Sequence, residues 1–286
     1  MWYIISLLSG FFMATADVFT KKESSRTQAI VLSWIREAYA LPFLLPILIF
    51  IDIPPIDWIF VGAMAICVII DLISTFLYMR ALQIAPLSLT VPYLGLTPLF
   101  LLVIPTLVLG ETLSLAGILG VILISIGTYL LQIDRAKYGL FEPWLTIFKN
   151  RGSLYMFIVA VCYAVTATFG KLAIQHSSPL FFAIVYFFLL AVGFTPFALI
   201  SCKGKIKPLF QFPMKRIQIG LAMALMAICH FTAIGMIQVA YMISLKRLSL
   251  LFAILYGWWF FNEKNIQARL VGGTIIIVGA VCIAFA

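Results

Sequence analysis

Charge is scarce in this 286-residue chain: Asp, Glu, Lys and Arg make up 10% of it, and it has two histidines. Soluble domains carry about 25% charged residues. With 64% hydrophobic residues and a mean hydropathy of +1.15, no soluble core could bury the apolar side chains, and a disordered chain is excluded as well. Acidic groups are scarcer than basic ones, 10 against 19, giving a formal charge of +9. In a soluble protein that excess would suggest nucleic acid. Here it sits in short connections between apolar runs, where it orients helices, and no nucleic-acid partner is expected.

The missing motifs exclude further classes. No G-x-x-x-x-G-K-[ST] string is present, so no nucleotide-driven machinery is expected. There is no H-E-x-x-H, and His176 and His230 are far apart, which argues against a membrane-embedded lipid-modifying enzyme. Cys67, Cys162, Cys202, Cys229 and Cys282 form no C-x-x-C pair and read as small hydrophobes, with no disulfide, metal or cofactor expected. The apolar runs do not alternate with polar residues, as a transmembrane barrel requires. The N-terminal run lacks a basic leader region and reads as a first membrane helix.

What the chain does have is length enough for ten spans of about 20 residues each. Apolar runs fall at 2–20, 29–50, 58–80, 88–109, 113–132, 153–174, 179–201, 217–239, 242–261 and 266–286. The longest polar stretch, Asp134 to Gly152, interleaves Phe141, Trp144, Leu145 and Phe148 with Arg135, Lys137, Glu142, Lys149 and Arg151, the pattern of a short amphipathic helix on the membrane surface. It separates two halves that repeat one another. Phe19-Thr20-Lys21 recurs as Phe169-Gly170-Lys171 and Pro46 as Pro196, 150 residues on. Leu99-Phe100, Glu111, Ala116, Gly120 and Gly127 recur as Leu251-Phe252, Glu263, Ala268, Gly272 and Gly279, 152 residues on. The expected fold is therefore all-α, with ten transmembrane helices as two five-helix repeats, 1–132 and 153–286, joined by an amphipathic linker at 133–152.

Because five is odd, the second repeat crosses the membrane in the opposite sense, the inverted-repeat plan of secondary transporters. Alternate connections carry the cations: Lys21, Lys22 and Arg26; Arg135, Lys137, Lys149 and Arg151; Lys203, Lys205, Lys207, Lys215 and Arg216; Lys264 and Arg269. The opposite connections offer Asp52, Asp57, Glu111 and His176. Positive-inside bias alone places both termini outside.

The turn Leu109-Gly110-Glu111-Thr112-Leu113, followed by Gly117, Gly120 and Gly127, resembles the l-G-E-x-l…G…G signature of the EamA domain in the drug/metabolite transporter superfamily. Phe261-Asn262-Glu263-Lys264 repeats it, and the run Val239 to Arg247 is similar to EamA-type sequences. The resemblance covers the chain as two domains. It implies a carrier of small metabolites such as amino acids, often an exporter, in an inner membrane of bacterial type. It also implies cytoplasmic termini, opposite to the charge bias. The family often has Trp eight residues before its first-helix lysine, where this chain has Met13 before Lys21 and Tyr163 before Lys171.

An ionisable group inside a span costs about 2.5–3.5 kcal/mol on insertion scales, so each one needs an explanation. Asp17 pairs with Lys21 along its helix or faces a cavity. Asp71, mid-span and too short to snorkel, either pairs with a cation on a facing helix or lines a cavity where it could hold a proton. Arg36 and Glu37 point about 100° apart, so at least one faces the bundle; Arg36 stands where EamA-like chains often have arginine, and either makes an ion pair to a neighbouring helix or contacts substrate. Arg80 and Lys171 lie near helix ends and are expected to snorkel. Lys246 and Arg247 are cations on the side otherwise stripped of them, which implies an anion nearby, either Asp71 or a substrate carboxylate. His230 either titrates in a cavity or bonds a facing helix. Pro92, Gly95, Pro98 and Pro105 break the fourth span beside a cavity or merely kink it. Tyr78, Tyr93, Tyr163, Trp258 and Trp259 could stack on a solute or mark the lipid interface, and Gln83 and Gln238 sit at helix ends. Ala116 and Gly120, with Ala268 and Gly272, give the fifth and tenth spans small faces for close packing, within the chain or in a homodimer. The leading expectation is a secondary carrier with a small-molecule substrate in a lipid bilayer. The other readings are a non-transporting membrane partner or receptor and, less favoured, the lipid-modifying enzyme.

Overall fold

A computed structural model of the chain describes residues 1–24, 27–84, 91–132, 150–211, 213–252 and 267–286. The described residues form helices and turns with no strand, as a continuously apolar chain must where no water can satisfy its backbone. In order these are α1 (Trp2–Ser24), α2 (Ala29–Ala38), α3 (Leu41–Leu44), α4 (Trp58–Ile84), α5 (Thr97–Phe100), α6 (Ile104–Leu109), α7 (Leu115–Gln132), α8 (Arg151–Gln175), α9 (Pro179–Ser201), α10 (Pro213–Met236), α11 (Val239–Lys246) and α12 (Gln267–Ala284). Three 3-10 turns, Leu45–Ile49, Val91–Leu96 and Lys207–Phe210, lie between them.

Among the described residues, six apolar stretches are long enough to cross a membrane: Trp2–Thr20, Ala29–Ile49, Trp58–Tyr78, Arg151–Gln175, Pro179–Ser201 and Pro213–Met236. These coincide with the expected first, second, third, sixth, seventh and eighth spans. Shorter apolar helices at Tyr93–Leu109, Leu115–Leu131 and Val271–Ala284 fall on the fourth, fifth and tenth. Of the ninth span, α11 begins at Val239, three residues earlier than the apolar run suggested, and residues 253–266 lie outside the described residues, with Trp258, Trp259, Glu263 and Lys264 among them. So does most of the expected amphipathic linker, residues 133–149. The chain is an integral, multi-pass membrane protein.

The prolines act as their chemistry requires. In the second span Pro42 and Pro46 split the helix into α2, α3 and a 3-10 turn. In the fourth, a 3-10 turn leads into α5, whose first turn holds Pro98, and then into α6, whose first turn holds Pro105. The fourth span is thus interrupted rather than merely bent. Pro196, the repeat mate of Pro46, stays inside an unbroken α9.

The helices gather into two compact units that cut across the sequence halves. Unit 1 is Met1–Leu72 with Phe169–Met236, and unit 2 is Ile73–Thr168 with Ile237–Ala286. In unit 1, α1 packs along α10 and α2 along α9. The backbone of α10 comes so close that a Cβ on Gly220 would stand 2.0 Å from the Tyr39 carbonyl oxygen.

In unit 2, α7 packs along α12. A Cβ on Gly120 would lie 2.7 Å from the Gly279 carbonyl oxygen, and one on Gly127 would lie 2.7 Å from that of Gly272. The early glycine of each helix meets the late glycine of the other, so the two helices run antiparallel, the opposite sense expected of the fifth and tenth spans. Their glycine faces are buried against each other within the chain. Ala116 faces outward, beside Leu115 and Leu119.

Candidate functional site

The candidate residues divide between the units. Asp17, Arg36, Glu37, Asp71, Lys171 and His230 belong to unit 1, and Tyr78, Tyr93, Pro98, Tyr163, Lys246 and Arg247 to unit 2.

In unit 1, Arg36 reaches from α2 to α1, where its Nη1 donates to Asp17 Oδ1 at 2.6 Å and its Nη2 approaches Met13 Sδ at 3.5 Å. Asp17 therefore has a partner on a neighbouring helix, beyond the intrahelical lysine considered from spacing. Glu37, one residue on, turns inward: its Oε2 is buried without a hydrogen-bond partner. It sits within electrostatic reach of Arg36 and Asp71. Asp71 Oδ2 on α4 accepts a hydrogen bond from the Tyr186 hydroxyl on α9. Tyr186 is in turn stacked on Phe182 at 5.3 Å and edge-on to Phe231 of α10 at 5.8 Å. A chain of polar groups, Asp17, Arg36, Glu37, Asp71 and Tyr186, thus links four helices of unit 1, running inward from the exposed Asp17.

Lys171 does not snorkel, since its side chain is buried at 8% exposure one turn before the end of α8. His230 is half-buried with its ring against Phe231.

Two further pairs of unit 1 lie near helix ends. Arg216, grouped with loop cations by position, is buried in α10; it donates to Glu23 Oε1 at 3.2 Å and to the Pro208 carbonyl at 2.6 Å. At another edge, Asp57 accepts from the Phe60 backbone N–H at 2.8 Å as the cap of α4 and meets His176 Nδ1 at 2.6 Å. The Phe60 N–H, followed by the histidine, holds the Asp57 carboxyl below the ordinary aspartate value.

Unit 2 holds aromatics and cations. Tyr93 and Leu96 from the interrupted fourth span form a buried cluster with Ala81, Met156 and Val159, and Tyr78, Tyr155 and Tyr163 pack against it half-buried. Pro98 is buried at the start of α5. Lys246 ends α11 and Arg247 caps it, with Arg247 Nε buried and unpartnered and the Tyr163 hydroxyl within electrostatic reach.

The turn after α6 has a definite job. Gly110 adopts φ 66°, a left-handed conformation that stops the helix and costs other residues a steric clash. Glu111 then accepts the Val239 N–H at 2.9 Å, closing the open end of α11. The clasp is reciprocal: the Ser114 N–H, just before α7, donates to the Tyr241 hydroxyl at 3.0 Å, and Gly117 leaves that ring its space. Gln238, expected at a helix end, is the N-cap position of α11, and its amide reaches the Thr112 carbonyl at 3.4 Å.

The sequence profile of the EamA-like transporter family matches residues 1–133 and again residues 150–285. The chain belongs to the EamA-like transporter family. Its l-G-E turn is thereby given a physical role: Gly110 ends one helix and Glu111 caps another, contributed by the second copy. Among solved structures, the chain is similar to a crystal structure described simply as that of a protein, with TM-score 0.76 and 15% identity over 99% of this chain and 96% of that one. At that identity the likeness is one of fold. No curated protein matches the chain.

Tyr186, Glu23 and the partner of Asp17 were missed from sequence. A phenol in the middle of an apolar seventh span was the available signal for Tyr186, because a buried hydroxyl needs a partner.

Proposed function

We propose that this EamA-family protein is a secondary transporter that moves small metabolites, amino acids or related amphipathic solutes, across the inner membrane by alternating access, in the export direction. The observation that supports this most is the polar chain in unit 1. Each of its charges is costly in a bilayer, and packing alone would favour apolar residues of the same volume. Inverted repeats with an interrupted helix are the usual framework of gradient-driven carriers, and the antiparallel α7 and α12 and the split fourth span fit that plan.

The experiment is an untargeted comparison of metabolites accumulated by cells with and without the protein. It is followed by flux of the solutes that differ in reconstituted vesicles carrying wild type, Asp71→Asn or Tyr186→Phe. Wild type is expected to move at least one of them, with both variants slowed tenfold or more. A wild type that moves none removes the transport reading. Thiol labelling of cysteines placed near Asp57 and Lys205 reports orientation, and the charge bias puts Lys205 inside.

A further inference from the structure

Arg247 poses a problem of unbalanced charge. A guanidinium stays protonated in any protein environment, so burial cannot be relieved by losing the proton. Its Nε is buried with no hydrogen-bond partner, and the group within electrostatic reach is the Tyr163 hydroxyl, which is neutral at ordinary pH. Among the described residues of unit 2 the one carboxylate is Glu111, committed to the Val239 N–H at the other end of α11. Arg216 shows what a structural arginine looks like in this protein: its Nε is also bare, but its two Nη groups hold Glu23 and the Pro208 carbonyl. The C-terminus of α11 favours a cation, yet leaves the buried Nε unbonded.

The rest of unit 2 has the same bias. An open pocket of about 370 Å³ is lined by Arg80, Ile84, Asn150, Arg151, Gly152 and Tyr155. From there α8 carries Tyr155 and then Tyr163 along the buried cluster. Arg151 to Tyr163 is about 18 Å at 1.5 Å per residue. Cations thus stand at a pocket beside the start of α8 and near Tyr163, with tyrosines on the helix between them and no carboxylate among the described residues of that stretch.

We propose that Arg247 is the recognition group for an anionic solute, and that the solutes carried are monocarboxylates whose two oxygens engage its planar fork. This rests on the transport reading above. The fork matches a carboxylate bidentately. Two parallel N–H donors in one plane fit the two oxygens of a carboxylate better than a tetrahedral phosphate, and the tyrosines suit a solute with an apolar or aromatic body.

The test uses purified full-length protein in detergent, with wild type, Arg247→Gln and Arg247→Lys melted alone and with benzoate, benzamide or inorganic phosphate. Without added anion, Arg247→Gln is expected to melt at or above wild type, because the buried Nε makes no bond to lose and a half-buried charge is removed. Benzoate is expected to raise the wild-type Tm by a few degrees at saturation, to act less on the Lys variant and to lose its effect on the Gln variant, while benzamide does nothing. The proposal is overturned by an Arg247→Gln protein that melts well below wild type without anion, since that marks a structural pair. It is equally overturned by benzamide matching benzoate, by a benzoate effect that survives in the Gln variant, or by stabilisation with phosphate alone. None of these readings requires transport. Vesicles that move no solute would remove the transport reading while leaving the benzoate result intact.

Discussion

Unit 1 keeps six carboxylates among its described residues and sets several of them against partners: Glu23 on Arg216, Asp17 on Arg36, Asp57 on His176, Asp71 on Tyr186. Unit 2 is held differently, by helices whose backbones nearly touch at Gly120, Gly127, Gly272 and Gly279 and by a cluster rich in tyrosine. A helix pair that relies on polar contacts tolerates changes in side-chain size and fails when a charge is orphaned. A pair that relies on glycine tolerates nothing larger than hydrogen, yet has no charge to lose. Apart from the close approach at Gly220 in unit 1, the two units therefore differ in what breaks them.

Removing one member of a buried ion pair has the largest expected effect. Glu23→Ala should destabilise the protein by about 3–5 kcal/mol because Arg216 is left buried and unpaired, whereas Glu23→Leu combined with Arg216→Met should recover most of that. Denaturation in mixed micelles measures both, and equal losses in the single and double variants would contradict the unit 1 account.

Gly127→Leu comes next. A Cβ there already lies 2.6 Å from Ile276 Cγ1, so the helices must separate, at a cost of about 1–3 kcal/mol. Gly62→Ala on α4 is the control, with nothing within 4 Å of its Cβ, and should be neutral or stabilising by about 0.5–1 kcal/mol. If both glycine variants behave alike in the same assay, the seam is not what holds α7 to α12.

The clasp is worth less. Glu111→Ala and Tyr241→Phe should each cost about 1 kcal/mol, and Glu111→Gln, which keeps an acceptor oxygen for the Val239 N–H, clearly less. The smallest effect is acid-dependent. Since the folded-state pKa of Asp57 lies below its ordinary 3.8, its contribution is present above that value and fades as pH falls through the folded one. Melting curves of Asp57→Asn should therefore converge on wild type in strong acid and fall slightly below it at neutral pH, with the gap narrowed by salt because the pair is exposed.

The spans were legible because their runs are continuously apolar, and the broken fourth span because three prolines cannot all be accommodated in one helix. That the fifth and tenth spans pack closely was legible in the recurrence of small residues; that they pack against each other within the chain, and not in a homodimer, was not. The interleaving of the halves was not, because a repeat shows which helices are related and carries no signal for which ones pack together. The burial of Arg216 could not be seen either: its neighbours Lys215 and Pro213 look like any loop, and its counter-charge lies 193 residues away. Asp17 was drawn toward Lys21 by helical spacing, whereas Arg36, on the next helix, supplies the 2.6 Å contact. Single polar residues were easy to flag and hard to pair, since partners on separate helices leave no pattern in one sequence.

The turn at Gly110 and Glu111 also bears on whether either copy of the repeat could stand alone. Glu111 belongs to the first copy of the repeat, and the helix end it closes belongs to the second; the glycines of α7 likewise find their match in the second copy's α12. A chain cut between the two copies would therefore expose, on the first half, an acid with no helix end to cap and a glycine face with nothing to cover it. Neither copy is complete by itself: each carries part of the surface that finishes the other.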